Sequence, residues 1–135
     1  MRRLRDHRSG AAALEFALVM LAFLPLSLGM IEVGLLLWTH NALQTTANFT
    51  ARCVAISSPA CTNAASYAVS TSQNWLQTGA LTSSGVVVQT GASCAGGSGN
   101  MVKVTLSSTS FSAIPMLSEL STNALTASAC YPASP

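Results

Sequence analysis

Acidic side chains nearly vanish after the first quarter of this sequence. Of its four Asp and Glu residues, Asp6, Glu15 and Glu32 come early and Glu119 alone follows. A paired-carboxylate mechanism or a carboxylate-rich metal site has too few ligands there. Histidine is equally sparse: His7 lies among the first ten residues and His40 just past a long apolar run, so neither easily shares a pocket with a Ser or Cys nucleophile. No two of the four cysteines have C-x-x-C spacing and no His lies near them, which argues against zinc. Basic residues are also few, and beyond residue 38 they reduce to Arg52 and Lys103, too little for a nucleic-acid-binding face. These absences point away from an enzyme, a metal or other cofactor, and a nucleic-acid partner.

What the chain does have is an apolar run. Between residues 11 and 38 the only polar or charged side chains are Glu15, Ser27 and Glu32. About 20 apolar residues of helix span roughly 30 Å of hydrocarbon, so this run is long enough to cross a bilayer, with a span expected at about 14–38. Trp38 closes it, where an indole suits the membrane interface. Four of the six basic residues, Arg2, Arg3, Arg5 and Arg8, stand immediately before the run. Positive flanks stay cytoplasmic, which puts the N-terminus inside and the bulk of the chain outside a bacterial inner membrane.

Cys53, Cys61, Cys94 and Cys130 all follow the apolar run and so fall in an oxidising compartment. Four cysteines allow three connectivities. The pairing of Cys53 with Cys61 and of Cys94 with Cys130 is favoured.

Residues 1–10 read as a basic leader and 11–54 as one long helix. Beyond the span, Leu43, Ala47, Ala51 and Val54 recur at helical spacing and supply a stripe to pack on an outer domain, until Ser57, Ser58 and Pro59 break the helix. A second helix is expected over 62–77, stopped by Gly79. Residues 86–89 and 101–106 are rich in β-branched side chains, and the Gly-rich segment 95–100 between them has turn chemistry, so they form a hairpin. Residues 125–131 offer a third strand. In 101–106, Val102, Val104 and Leu106 alternate with Met101, Lys103 and Thr105, as in a sheet with one buried face. The expected class is α+β: a membrane-spanning helix, then a small helix-plus-antiparallel-sheet domain over 55–135. That domain is small enough to need staples, from disulfides or neighbouring subunits.

The junction Ser9-Gly10-Ala11-Ala12-Ala13-Leu14-Glu15-Phe16 carries the functional information. A basic leader precedes a Gly, an apolar helix follows it, and a carboxylate stands at the fifth position after the Gly. Glycine suits a cleavage site because a backbone without Cβ lies extended in a narrow cleft. Glu15 needs a reason to be there, since an acidic side chain at the centre of a membrane helix costs roughly 2.5 to 3.5 kcal/mol, though less near the boundary. A simpler account leaves it at the inner edge of the span, reaching the headgroups.

This junction resembles the processing site of type IV prepilins. The resemblance implies cleavage at Gly10-Ala11 by a prepilin peptidase and pairing of Glu15, next to Phe16, with the new N-terminal amine of an adjacent subunit. More of the chain, through Leu14-Glu15-Phe16-Ala17-Leu18-Val19, Gly29-Met30-Ile31-Glu32-Val33-Gly34, Asn41-Ala42-Leu43-Gln44 and Ala51-Arg52, resembles the TadE family, pilin-like minor subunits of the Tad or type IVc pilus. That likeness covers roughly the first 55 residues. It implies a pilin-like fold and, as partners, major and minor pilins, the assembly platform with its ATPase, and membrane lipid. It also implies a role in pilus assembly, initiation, tip display or adhesion. Major Tad pilins are little more than the helix, so a substantial outer domain favours a minor subunit.

Other residues stay open between two readings. Glu32 lies about 25 Å along the helix from Glu15 and either touches the outer interface or bonds a neighbouring subunit. Pro25 and Gly29 are either ordinary membrane-helix residues or, by analogy with assembled pilins, a hinge. Asn48-Phe49-Thr50 matches a glycosylation sequon by chance, and Gly96, Gly97 and Gly99 belong to a hairpin loop since no P-loop Lys follows. Two other functions compete: an uncleaved membrane-anchored accessory or binding protein, and a secreted protein cut near Ser27-Leu28-Gly29. The apolar run is longer than a signal-peptide core, which opposes the last.

Overall fold

The computed structural model describes residues 3–76, 79–94, 97–108 and 125–133. Expectations for Gln77, Gly96 and Glu119 lie outside these residues. The element order is α1 (Arg3–Ala55), α2 (Ala64–Ser72), β1 (Val86–Cys94), β2 (Gly97–Ser108) and β3 (Leu125–Pro132), with single 3-10 turns at Pro59–Cys61 and Ser83–Gly85. The class is α+β: a long apolar N-terminal helix, a short helix and an antiparallel sheet of order β1-β2-β3. Packing divides the chain within α1, into Met1–Leu35 and Leu36–Pro135.

α1 begins at Arg3, so most of the stretch expected as a basic leader belongs to the same helix. Its far end is closed by three turn bonds. The Ser58 N–H donates to the Cys53 carbonyl at 3.2 Å and the Ser57 N–H to the Val54 carbonyl at 3.0 Å, while Ile56 still bonds Arg52 at 3.1 Å. Ser57 sits between them at φ 51. This is the Schellman arrangement, with serine where glycine is usual.

In Leu36–Pro135 the core forms between the last turns of α1 and the sheet. Two rows four residues apart face inward: Leu43, Ala47, Ala51 and Ala55, and beside them Ala42, Thr46 and Thr50. The expected stripe is right through Ala51 but ends on Ala55; Val54 is only partly buried at its side. The row keeps its four-residue step to the end of α1, so the inward stripe winds slowly round a helix of 3.6 residues per turn and reaches Ala55. The buried threonines leave no polar group orphaned, because Thr46 Oγ1 donates to the Ala42 carbonyl and Thr50 Oγ1 to the Thr46 carbonyl, each at 2.8 Å. From Gln44, the side-chain amide donates to the Ser128 carbonyl on β3 at 2.9 Å, tying helix to sheet.

Opposite these rows stand Val102, Val104 and Leu106 of β2, with Ala127 and Ala129 of β3. The alternation expected in β2 is present, and Val104 pairs with Ala129 and Leu106 with Ala127. The strands run further than their β-branched stretches. β1 extends to Cys94 and β2 starts at Gly97, so residues 97–100 of the expected six-residue turn belong to strand β2, with Gly97 paired to Cys94. Cross-strand hydrogen bonding can carry residues of low strand propensity once a neighbour offers a ladder.

α2 covers only Ala64–Ser72 of the expected 62–77. Asn63 caps its start by accepting from the Ser66 N–H at 3.1 Å. At its other end Ser72 Oγ donates to the Val69 carbonyl at 2.7 Å. Trp75 and Leu76 then fold back onto the Ser72 carbonyl at 3.0 and 2.7 Å. A Ser-rich end whose hydroxyls compete for backbone carbonyls stops the helix before Gly79 is reached. Gly79 does adopt a left-handed φ of 90, but in the loop beyond.

Both disulfides are the favoured pair: Cys53 with Cys61 and Cys94 with Cys130. The first pins the end of α1 to the turn that follows. The second joins the two outer strands of the sheet across β2, at a Cα separation of 6.5 Å.

Candidate assembly helix and its outer collar

From Gly10 to Leu35 the helix exposes nearly everything it has. Leu14, Phe16, Leu18, Val19, Leu21 and Phe23 are all solvent-facing, with Phe16 at 61% exposure. Fully burying one such side chain is worth about 1.5 to 3 kcal/mol, and a helix apolar all round belongs in lipid or among other helices. It is the one helix among the described residues long and apolar enough to cross a membrane.

Gly10, Ala11 and Glu15 are exposed on this helix, and a Cβ placed on Gly10 would meet nothing. Ala11 and Glu15 are four residues apart on continuous helix, hence one turn apart on the same face. α1 stays α-helical through Pro25 and Gly29. Glu32 differs from Glu15 in being buried, at 6% exposure. It is the only buried acidic or basic side chain among those described.

Further along α1 lies a collar of residues that the sequence reading did not bring together. The indole Nε1–H of Trp38 donates to the Trp75 carbonyl at 3.1 Å, linking α1 to the turn after α2. A shallow recess of about 190 Å³ opens there, lined by Trp38, Asn41, Ala42, Thr45 and Trp75. That is below the 300 to 1,000 Å³ of ordinary small-molecule sites. The signal for Trp75 in the sequence was only its aromatic character, with nothing local to pair it with a residue 37 positions away.

Residues 10–52 match the model of the family described as TadE-like protein. Over this stretch, about a third of its length, the chain is similar to TadE-like proteins. The match starts on Gly10 and ends one residue before Cys53, so it covers the exposed apolar helix and the inward-facing rows as far as Ala51, and none of the sheet. No curated protein and no solved structure matches the chain. That similarity points to the Tad pilus system, and the apolar helix α1 fits membrane anchorage. The TadE-like pilus family is non-enzymatic in general.

Proposed function

We propose that this chain is a minor pilin subunit of a Tad pilus, held in the bacterial inner membrane by α1 with its N-terminus in the cytoplasm. A prepilin peptidase cuts between Gly10 and Ala11. The mature helix then enters a fibre through its apolar surface, and Glu15 pairs with the Ala11 amine of a neighbour. The observation that carries this reading is the coincidence of Gly10, Glu15 five positions on, and a TadE-like match that opens on Gly10. Its partners are then other pilins, the peptidase, and the assembly platform with its ATPase. The sheet domain is displayed outside, at the tip or base of the fibre, where adhesion is one use for it.

One observation favours the uncleaved anchor instead. Gly10 lies inside unbroken helix that begins at Arg3, and a protease needs its scissile bond extended. Cleavage therefore requires the first turns of α1 to unwind in the peptidase, a step eased by the glycine. Intact-mass measurement of the protein from native membranes with active peptidase separates the readings. A mass starting at Ala11 supports the processed subunit; a full-length chain supports the anchor.

A further inference from the structure

The sheet-bearing part of the chain carries an exposed aromatic at a telling level. Trp38 terminates the apolar run, and 27 residues of helix from Ala11 to Trp38 rise about 40 Å. A bilayer with its headgroups is about 40 to 45 Å thick, so a spanning α1 puts Trp38 among the outer headgroups. Trp75 is tied to that level by the 3.1 Å bond from the Trp38 indole to its carbonyl. Next to it, Leu76 is buried in the core, which fixes the turn and leaves the Trp75 ring outward at 49% exposure. Trp38 is exposed by 59%. Two half-exposed indoles with an amide and a hydroxyl in the recess between them, and no acidic residue lining it, match the mixed apolar and polar character of the headgroup layer.

We propose that Trp75 is a second membrane contact: before assembly the outer domain rests on the phospholipid headgroup layer through Trp75, beside Trp38. The occupant of this surface is the bilayer in which α1 is embedded, because Trp38, where the apolar run ends, lines the same recess as Trp75. This rests on the membrane anchorage of α1. It adds a fixed seat for the domain, which a lone spanning helix does not provide.

The chain contains two tryptophans, so their fluorescence reports on these two positions. The full chain is reconstituted in phosphatidylcholine vesicles carrying a spin label either at the headgroup or deep on the acyl chain. In Trp38→Phe the remaining Trp75 is expected to be quenched by the headgroup label as strongly as Trp38 is in Trp75→Phe, and to be quenched less by the deep label. Since Trp38→Phe removes the indole bond, wild type is measured too; Trp75's share is then read as the difference from Trp75→Phe with the bond in place. Quenching of Trp38 with none for Trp75 in either comparison overturns the proposal and leaves the anchorage standing. Absence of quenching at both positions overturns both.

Discussion

At Ser57 a side chain occupies a backbone conformation made for glycine. Its φ of 51 is left-handed, which for a residue with Cβ costs roughly 1 to 2 kcal/mol. The turn bonds from Ser57 and Ser58 are made by backbone N–H groups, so glycine would keep them. Ser57→Gly should therefore stabilise the domain by about 1 kcal/mol after the loss of chain stiffness in the unfolded state is subtracted. Gly85 is the opposite case. A Cβ there would collide with the backbone carbonyl oxygen of Ser107 on β2, a neighbour that cannot swing aside. Gly85→Ala should destabilise by about 1 to 3 kcal/mol, as overpacking does. Denaturant melts of both variants in the oxidised state check the signs; a stabilised Gly85→Ala would contradict the close approach. Neither residue announces itself in the sequence, since left-handed φ and backbone proximity come from where the chain is sent.

At the scale of elements, β1 shows how one residue decides a covalent bond. Thr90 pairs with Val102 and Ala92 with Met101, so Gly91 at φ 71 is an extra residue, a bulge. Before it, Val86 and Val88 share the core side with Val104 and Leu106; after it the alternation is inverted, and Ala92 stands with Met101 on the other side. Cys130 is exposed next to buried Ala129, on that same outer side, and the inversion brings Cys94 to it. Deleting Gly91 should restore the original phase, turn Cys94 toward the core and prevent the Cys94–Cys130 bridge. Thiol counting on the unreduced variant is expected to find two reactive cysteines, where wild type has none free. In a chain-entropy account, closing 36 residues is worth about 4 kcal/mol and closing 8 about 2.5. Loss of this bridge should thus weaken the domain more than loss of Cys53–Cys61. The alternation of β2 and the inward rows of α1 were legible in the sequence because burial of one face imposes a period on side-chain type. The extent of α2, the length of β1 and the bulge were not, because serine hydroxyls, ladder pairing and a left-handed glycine set them, and none of these leaves a period.

For the whole molecule, the two compact units pose different physical problems. Leu36–Pro135 buries its own core and is stapled twice. In contrast, Met1–Leu35 exposes apolar surface that only lipid or other helices can cover, and lipid covers it without any need for Glu15. Glu15→Ala makes that surface more apolar, so membrane anchoring should persist or strengthen slightly. Processing should also persist, since in the proposed reading it depends on Gly10 and the backbone around it. What disappears is the partner for the Ala11 amine of an incoming subunit. Two opposite charges about 4 Å apart attract by roughly 4 kcal/mol at an effective dielectric near 20, and a difference of 1.4 kcal/mol is tenfold in an equilibrium constant. Incorporation of Glu15→Ala into fibres should therefore fall by well over an order of magnitude at unchanged membrane abundance. Immunoblots of sheared fibres against membrane fractions measure both quantities. Wild-type levels of the variant in fibres would refute the pairing, whereas its disappearance from membranes would refute the argument that the apolar surface alone anchors the chain.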